Sequence, residues 1–221
     1  NDVLATEAVH LSEERQRDFK AREILAALTG MTVNDTTNNL TAQLIFGDDW
    51  EPQKQFNYPD LHKLFPEYRF ENGRSYFNDE VIGEGGRVYA VPGMYYNVTT
   101  YDVSGMHPSS INAEEGFGPV YTKRYRDLYE ARIAIKHKDY EKAGEMFGGK
   151  LKPYLTNKDD AKQLSNALKI ALNSVYGMTA AHFKNRFRDE RNIDNWVAKR
   201  GACFIEKLRL EVTKYIEAHG L

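Results

Sequence analysis

The stretch that decides the fold is Asp159-Asp-Ala-Lys-Gln-Leu-Ser-Asn-Ala-Leu-Lys169-Ile-Ala-Leu-Asn173-Ser-Val-Tyr-Gly177-Met-Thr-Ala180. Its apolar residues recur every three or four positions, which predicts one amphipathic helix over about 159–180. The stripe predicted to be buried consists of Leu164, Leu168, Leu172 and Val175. The opposite face carries the polar residues Lys162, Asn166, Lys169, Asn173 and Tyr176.

The polar face combines three kinds of side chain in one row. A lysine is a ligand for phosphate, an amide offers hydrogen bonds, and a tyrosine offers a flat ring for stacking. Together they suit a nucleoside triphosphate held against a base pair. Spacing alone leaves the simpler alternative that this is a solvated polar surface.

The string Lys169-x-x-x-Asn173-Ser174-x-Tyr176-Gly177 resembles the motif on the fingers helix of family B DNA polymerases. The resemblance implies that Lys169 contacts the incoming triphosphate. It implies that Asn173, Tyr176 and Gly177 lie at the nascent base pair. Lys162, on the same face, is then expected to bind DNA.

A second string, Tyr101-Asp102-Val103-Ser104-Gly105-Met106-His107-Pro-Ser-Ser-Ile111, resembles the palm motif of the same family, Asp-x-x-Ser-Leu-Tyr-Pro-Ser. The resemblance implies that Asp102 is catalytic and binds two Mg²⁺ ions together with the backbone carbonyl of Val103. A carboxylate at a strand end can bridge two such hard cations. Ser104 and His107 are expected to contact the nucleotide. Without the motif on the fingers helix, an aspartate that ends a strand before a turn would be the better explanation of Asp102.

The palm string departs from the family pattern at Gly105, Met106 and His107, which replace Ser, Leu and Tyr. In the family that tyrosine stacks under the sugar and excludes a ribose 2′-hydroxyl. The flat ring of His107 can take the same place. The alternative is a histidine whose hydrogen bonds are satisfied within the turn.

Two further segments resemble the family more loosely. Gly83-Glu-Gly85-Gly86-Arg-Val-Tyr89 resembles a template-binding segment, which implies DNA contacts at Gly85 and Gly86, although a hairpin turn also explains these glycines. Asn1-Asp2-Val3 resembles the end of the third motif of a 3′→5′ proofreading exonuclease. Asp2 is then a metal ligand, and its alternative role is a helix N-cap.

The resulting fold prediction is α+β: a mostly helical fragment with a long helical hairpin, the fingers, and a small antiparallel palm sheet. Helices are predicted over 2–28, 120–143, 159–180 and 193–218, strands within Arg87–Asp102, a polar stretch over 36–41 and an irregular connector over 51–78. The predicted buried stripe of the last helix is Val197, Gly201, Phe204, Leu208, Val212 and Tyr215. The predicted segments are the exonuclease end with a connector (1–80), the palm strands (81–118), the fingers hairpin (119–180) and a helix returning to the palm (181–221).

Composition restricts the classes of protein. The chain has 221 residues, of which 41% are hydrophobic and 28% are charged, as in globular proteins. It contains no apolar run long enough for a membrane span, and no signal peptide is visible. Its single cysteine, Cys203, excludes an internal disulfide and fits a cytoplasmic location.

The net charge of −2 conceals two halves of opposite sign. Residues 1–120 carry 9 Lys and Arg against 19 Asp and Glu, a net charge of −10, whereas residues 121–221 carry 21 against 13, a net charge of +8. The basic half suits contact with phosphates and the acidic half suits metal binding.

The family also requires a second palm motif, Tyr-x-Asp-Thr-Asp-Ser, and Asp-Thr-Asp does not occur in this sequence. We therefore expect an internal fragment of a larger polymerase, inactive by itself. Its expected partners are primer-template DNA, a dNTP and the remainder of the polymerase, but no membrane. That remainder comprises the N-terminal exonuclease and the C-terminal palm and thumb, in the same parent chain or in a separate subunit.

The compact plan suggests an enzyme of a phage in a bacterial host, or of a mobile element. Two other functions remain open at this point. One is a non-catalytic DNA-binding subunit or relic of a split polymerase, and the other is a helical interaction module without a nucleic-acid role.

Overall fold

The computed structural model describes residues 2–83 and 90–220. The helices are α1 (Asp2–Leu11), α2 (Glu13–Thr29), α3 (Thr37–Phe46), α4 (Leu61–Leu64), α5 (Met106–Ala113), α6 (Gly118–Lys136), α7 (Tyr140–Glu145), α8 (Lys158–Thr179) and α9 (Trp196–His219). Short 3-10 segments occupy Pro52–Gln55, Met146–Gly149 and Lys152–Tyr154. None of the helices in this part of the chain combines the length and apolar composition that a bilayer span requires.

Three short strands, β1 (Tyr68–Glu71), β2 (Arg74–Phe77) and β3 (Glu80–Ile82), form an antiparallel sheet in the order β1-β2-β3. Tyr68 pairs with Phe77 across the first ladder. The predicted fold class, mostly helical α+β with a small antiparallel sheet, is confirmed.

The position of the sheet differs from the prediction. Strands were expected within Arg87–Asp102, but residues 90–102 contain no strand and are all exposed, and residues 84–89 lie outside the described chain. The sheet lies at 68–82 instead, largely inside the segment expected to be irregular. The reason is turn chemistry: Asn72 and Gly73, with φ of 51° and 74°, form a two-residue connection of the kind that favours a hairpin.

Two helix predictions were also inexact, and one helix was not predicted. The expected helix over 2–28 is interrupted at Ser12, whose extended backbone (φ −61°, ψ 143°) starts a second helix. The expected helix over 120–143 ends at Lys136, and Asp139 caps a new one by accepting a hydrogen bond from the Lys142 amide at 3.1 Å. The polar stretch 36–41 begins α3, because the Thr36 side chain accepts from the Asn39 amide at 3.2 Å.

The chain divides into two compact units. Unit 1 contains the described residues of 1–55 and 117–188, and unit 2 those of 56–116 and 189–221. The expected boundary at 118/119 lies next to the observed one at 116/117. The first 55 residues pack with the helical hairpin rather than with the connector that follows them.

In unit 1, helices α2, α3 and α6 all pack against α8. An aromatic cluster closes one side of this core: the ring of Phe46 lies 5.8 Å from Phe117, 5.1 Å from Tyr121 and 4.8 Å from Phe187, measured between ring centroids. Two of these contacts are edge-to-face, a favourable geometry for aromatic pairs.

In unit 2, α5 packs against α9, and α4 packs against β1. The Tyr68 hydroxyl donates to an Asp194 carboxylate oxygen at 2.7 Å and lies 3.1 Å from the Ser75 hydroxyl. This pair of contacts ties the sheet to the segment that leads into α9.

Candidate functional site: the exposed face of α8 and the turn before α5

Helix α8 has the two faces that its sequence predicts. The stripe Leu164, Leu168, Leu172 and Val175 is buried, with at most 2% of each residue exposed. On the opposite face Lys162, Lys169 and Asn173 are exposed, and Asn166 and Tyr176 are half-buried. The polar row is therefore presented to solvent along the outer side of unit 1.

The polar row is fixed in position by hydrogen bonds from two neighbouring helices. The Tyr125 hydroxyl of α6 donates to the Leu172 carbonyl at 3.2 Å. Burial raises the pKa of this phenol, so it remains a donor. The Ser174 hydroxyl lies 3.2 Å from that of Thr41 in α3 and donates to the Ala171 carbonyl at 2.9 Å.

These contacts reveal residues that the sequence analysis missed. Ser174 belongs to the matched string but had no assigned role, and its hydroxyl joins α8 to α3. Tyr125 and Thr41 lie far away in sequence. Both are buried and carry a hydroxyl, and a buried hydroxyl needs a hydrogen-bond partner inside the protein. This need was the only indication that either residue could contact α8.

Gly177 lies in the last turns of α8 on its exposed side. A Cβ atom added there would meet no heavy atom within 4 Å. A glycine in a helix costs roughly 0.5–1 kcal/mol relative to alanine. Packing within unit 1 therefore gives no reason for a glycine at this position.

The chain beyond α8 is anchored to the helix and to the loop after α3. The Asn185 side chain donates to the Met178 carbonyl at 3.1 Å. The Arg186 guanidinium donates to the carbonyls of Gly47 at 2.6 Å and Asp49 at 3.3 Å. The C-terminal end of the polar row is thus held as firmly as its centre.

The second set of predicted site residues lies in unit 2. Asp102 and Ser104 are exposed, Val103 is half-buried, and the chain around Asp102 is not a strand. At Gly105 the backbone is left-handed (φ 61°, ψ 60°), which a glycine adopts readily, and α5 begins at the next residue. A short helix thus follows the aspartate.

Helix α9 holds α5 in place. A Cβ atom on Gly201 would lie 2.9 Å from Cγ of Met106, so the two helices approach too closely for a larger residue without movement. Arg200 donates through Nε to Glu114 at 2.8 Å. His107, near the start of α5, is half-buried, and this burial lowers the pKa of its imidazole.

The oxygen donors of Asp102 and Val103 are of the type that Mg²⁺ prefers. In the chain as described, however, no group of three or more His, Cys, Asp or Glu side chains is assembled. These residues therefore do not form a complete magnesium site, and we derive no step through the metal.

The remaining predicted residues are dispersed. Asp2 is the exposed first residue of α1 in unit 1. Gly85 and Gly86 lie outside the described residues. The structure thus assembles Lys162, Lys169, Asn173, Tyr176 and Gly177 on one helix of unit 1, and Asp102, Val103, Ser104 and His107 on one turn of unit 2.

Comparison of the chain with protein-family models, with curated proteins and with solved structures finds no match.

Proposed function

We propose that this chain is the nucleotide-binding part of a DNA-directed DNA polymerase of family B. In this proposal the exposed face of α8 binds a dNTP and pairs it with a template base. Lys169 binds its phosphates, and Asn173 and Tyr176 contact the nascent base pair. Primer-template DNA and the remainder of the polymerase are the partners, in a phage-infected bacterial cytoplasm.

The observation that carries the proposal is the combination of an exposed Lys-Asn-Tyr row with an unpacked glycine. The helix that carries the row is held from behind by Tyr125 of α6 and Thr41 of α3. Gly177 keeps one edge of it free of side chain, although alanine would make a better helix. A flat ligand that approaches the backbone closely explains the glycine, which a merely solvated face does not.

The residues of the α5 turn have complementary parts in this proposal. Asp102 and the Val103 carbonyl contribute oxygen ligands to Mg²⁺, and the remaining ligands come from outside the described residues. By the resemblance to the palm motif, Ser104 and His107 contact a nucleotide. The metal supplies activation of the primer hydroxyl and stabilisation of the leaving pyrophosphate when it is bound.

A binding measurement tests the α8 part directly. We expect the chain to bind a fluorescent dATP analogue in the presence of Mg²⁺, with anisotropy as the readout. The Lys169→Ala variant is expected to bind about tenfold more weakly, the loss typical of one charge-assisted phosphate contact.

The matched control is Lys123→Ala, which removes an exposed lysine of α6 in the same unit. Equal loss in both variants would show that overall charge, rather than the α8 face, governs binding. In that case the proposed nucleotide site is wrong.

Catalysis is tested in the full-length protein that contains this chain. Template-directed primer extension is expected to disappear in the Asp102→Asn variant, because the change removes a negative ligand and keeps the side-chain shape. Extension that survives this change at the wild-type rate would contradict the assigned role of Asp102.

A second candidate function is a DNA-binding subunit without catalytic activity. The net charge of +8 over residues 121–221 favours it, because DNA binding through phosphates needs no metal site. It predicts salt-sensitive binding to primer-template and no incorporation with any length of the protein. Nucleotide incorporation that depends on Asp102 would contradict this second candidate and support the polymerase.

A further inference from the structure

Four lysines lie just before the proposed nucleotide site in the sequence and are exposed: Lys150, Lys152, Lys158 and Lys162. We name them the distal lysine track. Lys158 and Lys162 are one helical turn apart on α8, and they continue the row that ends with Asn166, Lys169, Asn173 and Tyr176. Lys152 lies in the 3-10 segment Lys152–Tyr154, which packs against α8, and Lys150 lies two residues before it.

The charge around the track is strongly one-sided. Residues 150–188 contain eight Lys and Arg but only two Asp and Glu, a net charge of +6. The two acids are Asp159 and Asp160 in the first turn of α8, where a helix N-terminus favours carboxylates. Asp160 also accepts a hydrogen bond from the Asn157 side chain at 2.7 Å.

The ammonium groups of the track have no carboxylate partner among the described residues. Other exposed lysines, such as Lys136, Lys138 and Lys142, also have no ion pair in that part of the chain, so the track differs in placing several unpaired lysines close together along the chain. By comparison, five exposed lysines each pair with a carboxylate three or four residues away. These five are Lys20, Lys54, Lys63, Lys123 and Lys214. Cations that remain unpaired beside each other repel, which is costly unless an anion binds them.

The track is too long to serve the nucleotide at Lys169. A helix rises 1.5 Å per residue, so the backbone of Lys158 is about 16 Å from that of Lys169 and the backbone of Lys162 about 10 Å. Phosphates along a stacked strand are about 3.4 Å apart in rise, so the row spans a few successive nucleotides. Tyr154, half-buried between Lys152 and Lys158 in sequence, offers a ring on which an unpaired base can stack.

We infer that the distal lysine track binds the sugar-phosphate backbone of a single nucleic-acid strand that runs along α8 toward the nucleotide site. The identity of the polymer rests on the proposed function, whereas the preference for a linear polyanion rests on the arrangement of the lysines along α8 and on the net charge of +6 over residues 150–188. The contact is independent of base sequence, because only phosphates and one stacking ring are involved.

The test measures binding of the whole chain to a labelled single-stranded DNA of about 20 nucleotides, longer than the site size of a typical single-strand binding fold. Salt concentration is varied and the slope of log affinity against log salt is read. Changing the four track lysines to glutamine is expected to reduce this slope by about 3, since each phosphate contact on a single strand contributes about 0.7.

The matched control changes Lys20, Lys54, Lys123 and Lys214 to glutamine, which alters the net charge equally. We expect its slope to stay within about 1 of the wild-type slope. All eight lysines are exposed, and unchanged circular dichroism verifies that both variants fold. Equal loss of slope in both variants overturns the inference, because net charge rather than the track then governs binding.

Competing polyanions provide the second arm. Duplex DNA, polyglutamate and vesicles of anionic lipid are each offered against the labelled single strand. If the chain binds all three competitors more weakly than the single strand, the inference is supported. If it binds any one of them as tightly as the single strand, the inference is overturned. Changing Tyr154 to alanine is expected to reduce the preference for single-stranded over duplex DNA about threefold or more.

Failure of this inference is distinguishable from failure of the proposed function. Lys169→Ala is expected to abolish most dATP binding but to lower the DNA salt slope by no more than about 1. The fourfold track variant is expected to keep its affinity for dATP. Normal DNA binding by the track variant overturns only the track, and normal dATP binding by Lys169→Ala overturns only the nucleotide site.

Discussion

Helices α8 and α9 share an apolar stripe along one side, but they differ in how much of that stripe is buried. Both exceed 20 residues, and both place apolar residues at helical spacing along one side. In α8 that side is buried throughout, with 0% of Leu168 exposed. In α9 it is buried only near the start: Val197 is 1% exposed, but Leu208 is 47% and Tyr215 is 60% exposed. The predicted buried stripe of α9 is therefore wrong at Phe204, Leu208, Val212 and Tyr215.

The difference lies in the neighbours of the two helices. Helix α8 is surrounded by α2, α3 and α6, whereas α9 packs mainly on α5 among the described elements. An apolar pattern identifies which face of a helix avoids water, but other elements decide whether that face is covered. A buried stripe can be predicted from the pattern only when its partners are known.

The largest predicted effect is a difference in stability between two variants, each with one leucine replaced by alanine. Leu168→Ala removes a fully buried side chain and is expected to lower the free energy of unfolding by about 3 kcal/mol. Leu208→Ala removes a half-exposed one and is expected to cost less than about 1 kcal/mol. Urea denaturation followed by circular dichroism measures both.

Equal costs at the two positions would contradict the description of α9. They would mean that the apolar end of α9 is covered in solution, for example by a second copy of the chain. Repeating the denaturation at several protein concentrations separates these cases, because only association makes the midpoint depend on concentration.

The next effect concerns the polar contact that supports α8. Ser174→Ala leaves the hydroxyl of Thr41, which is 0% exposed, without its Ser174 partner, at an expected cost of about 1–2 kcal/mol. Changing Thr41 to valine as well removes both partners and is expected to recover part of the loss. A double-mutant cycle by urea denaturation measures the coupling; a cost equal to the sum of the two single changes would show that the hydroxyls do not interact.

Much of unit 1 could be predicted from the sequence, and the limits of α8 illustrate why. A long periodic pattern specified the helix within one residue at each end. The same periodicity was sufficient to predict which residues form the polar row. Its supports at Tyr125 and Thr41 could not be predicted, because they are contacts between distant segments of the chain.

The failures in unit 2 have two different origins. The Asn72-Gly73 turn is a hairpin signal in the sequence that the interpretation of 51–78 as an irregular connector did not use. By contrast, residues 90–102 have the β-branched and aromatic residues of strands but no strand partner among the described residues. Strand propensity reflects packing against neighbours, so composition alone could not decide this segment.

The next comparison replaces one glycine in each helix by alanine. Each change is expected to alter the free energy of unfolding by about 1 kcal/mol or less. Gly177→Ala in α8 meets no atom within 4 Å and is expected to stabilise the chain by roughly 0.5–1 kcal/mol. Gly201→Ala in α9 forces Met106 to move and is expected to destabilise it by roughly 1 kcal/mol. Thermal denaturation gives both values.

The same Gly177 variant separates stability from function. If the glycine serves a ligand, the stabilised variant binds dATP less well than the wild-type chain. Binding that improves or stays unchanged would remove the main support for a close approach of ligand to this edge of α8.

The smallest predicted effect is the pH dependence that His107 adds to unit 2. Burial lowers the pKa of this imidazole below its ordinary value of 6.5, and the start of α5 also disfavours a positive charge. The unfolded chain therefore binds a proton before the folded chain does. The stability that His107 contributes is complete above about pH 6.5 and is lost as the pH falls toward the lowered pKa.

His107→Gln removes this loss, so the variant is expected to gain stability relative to wild type between pH 7.5 and pH 5, roughly the range in which a histidine titrates. Carboxylates titrate alike in both proteins and cancel from the difference. A difference that is constant across this range in urea denaturation would show that the imidazole is as accessible to protons in the folded chain as in the unfolded one.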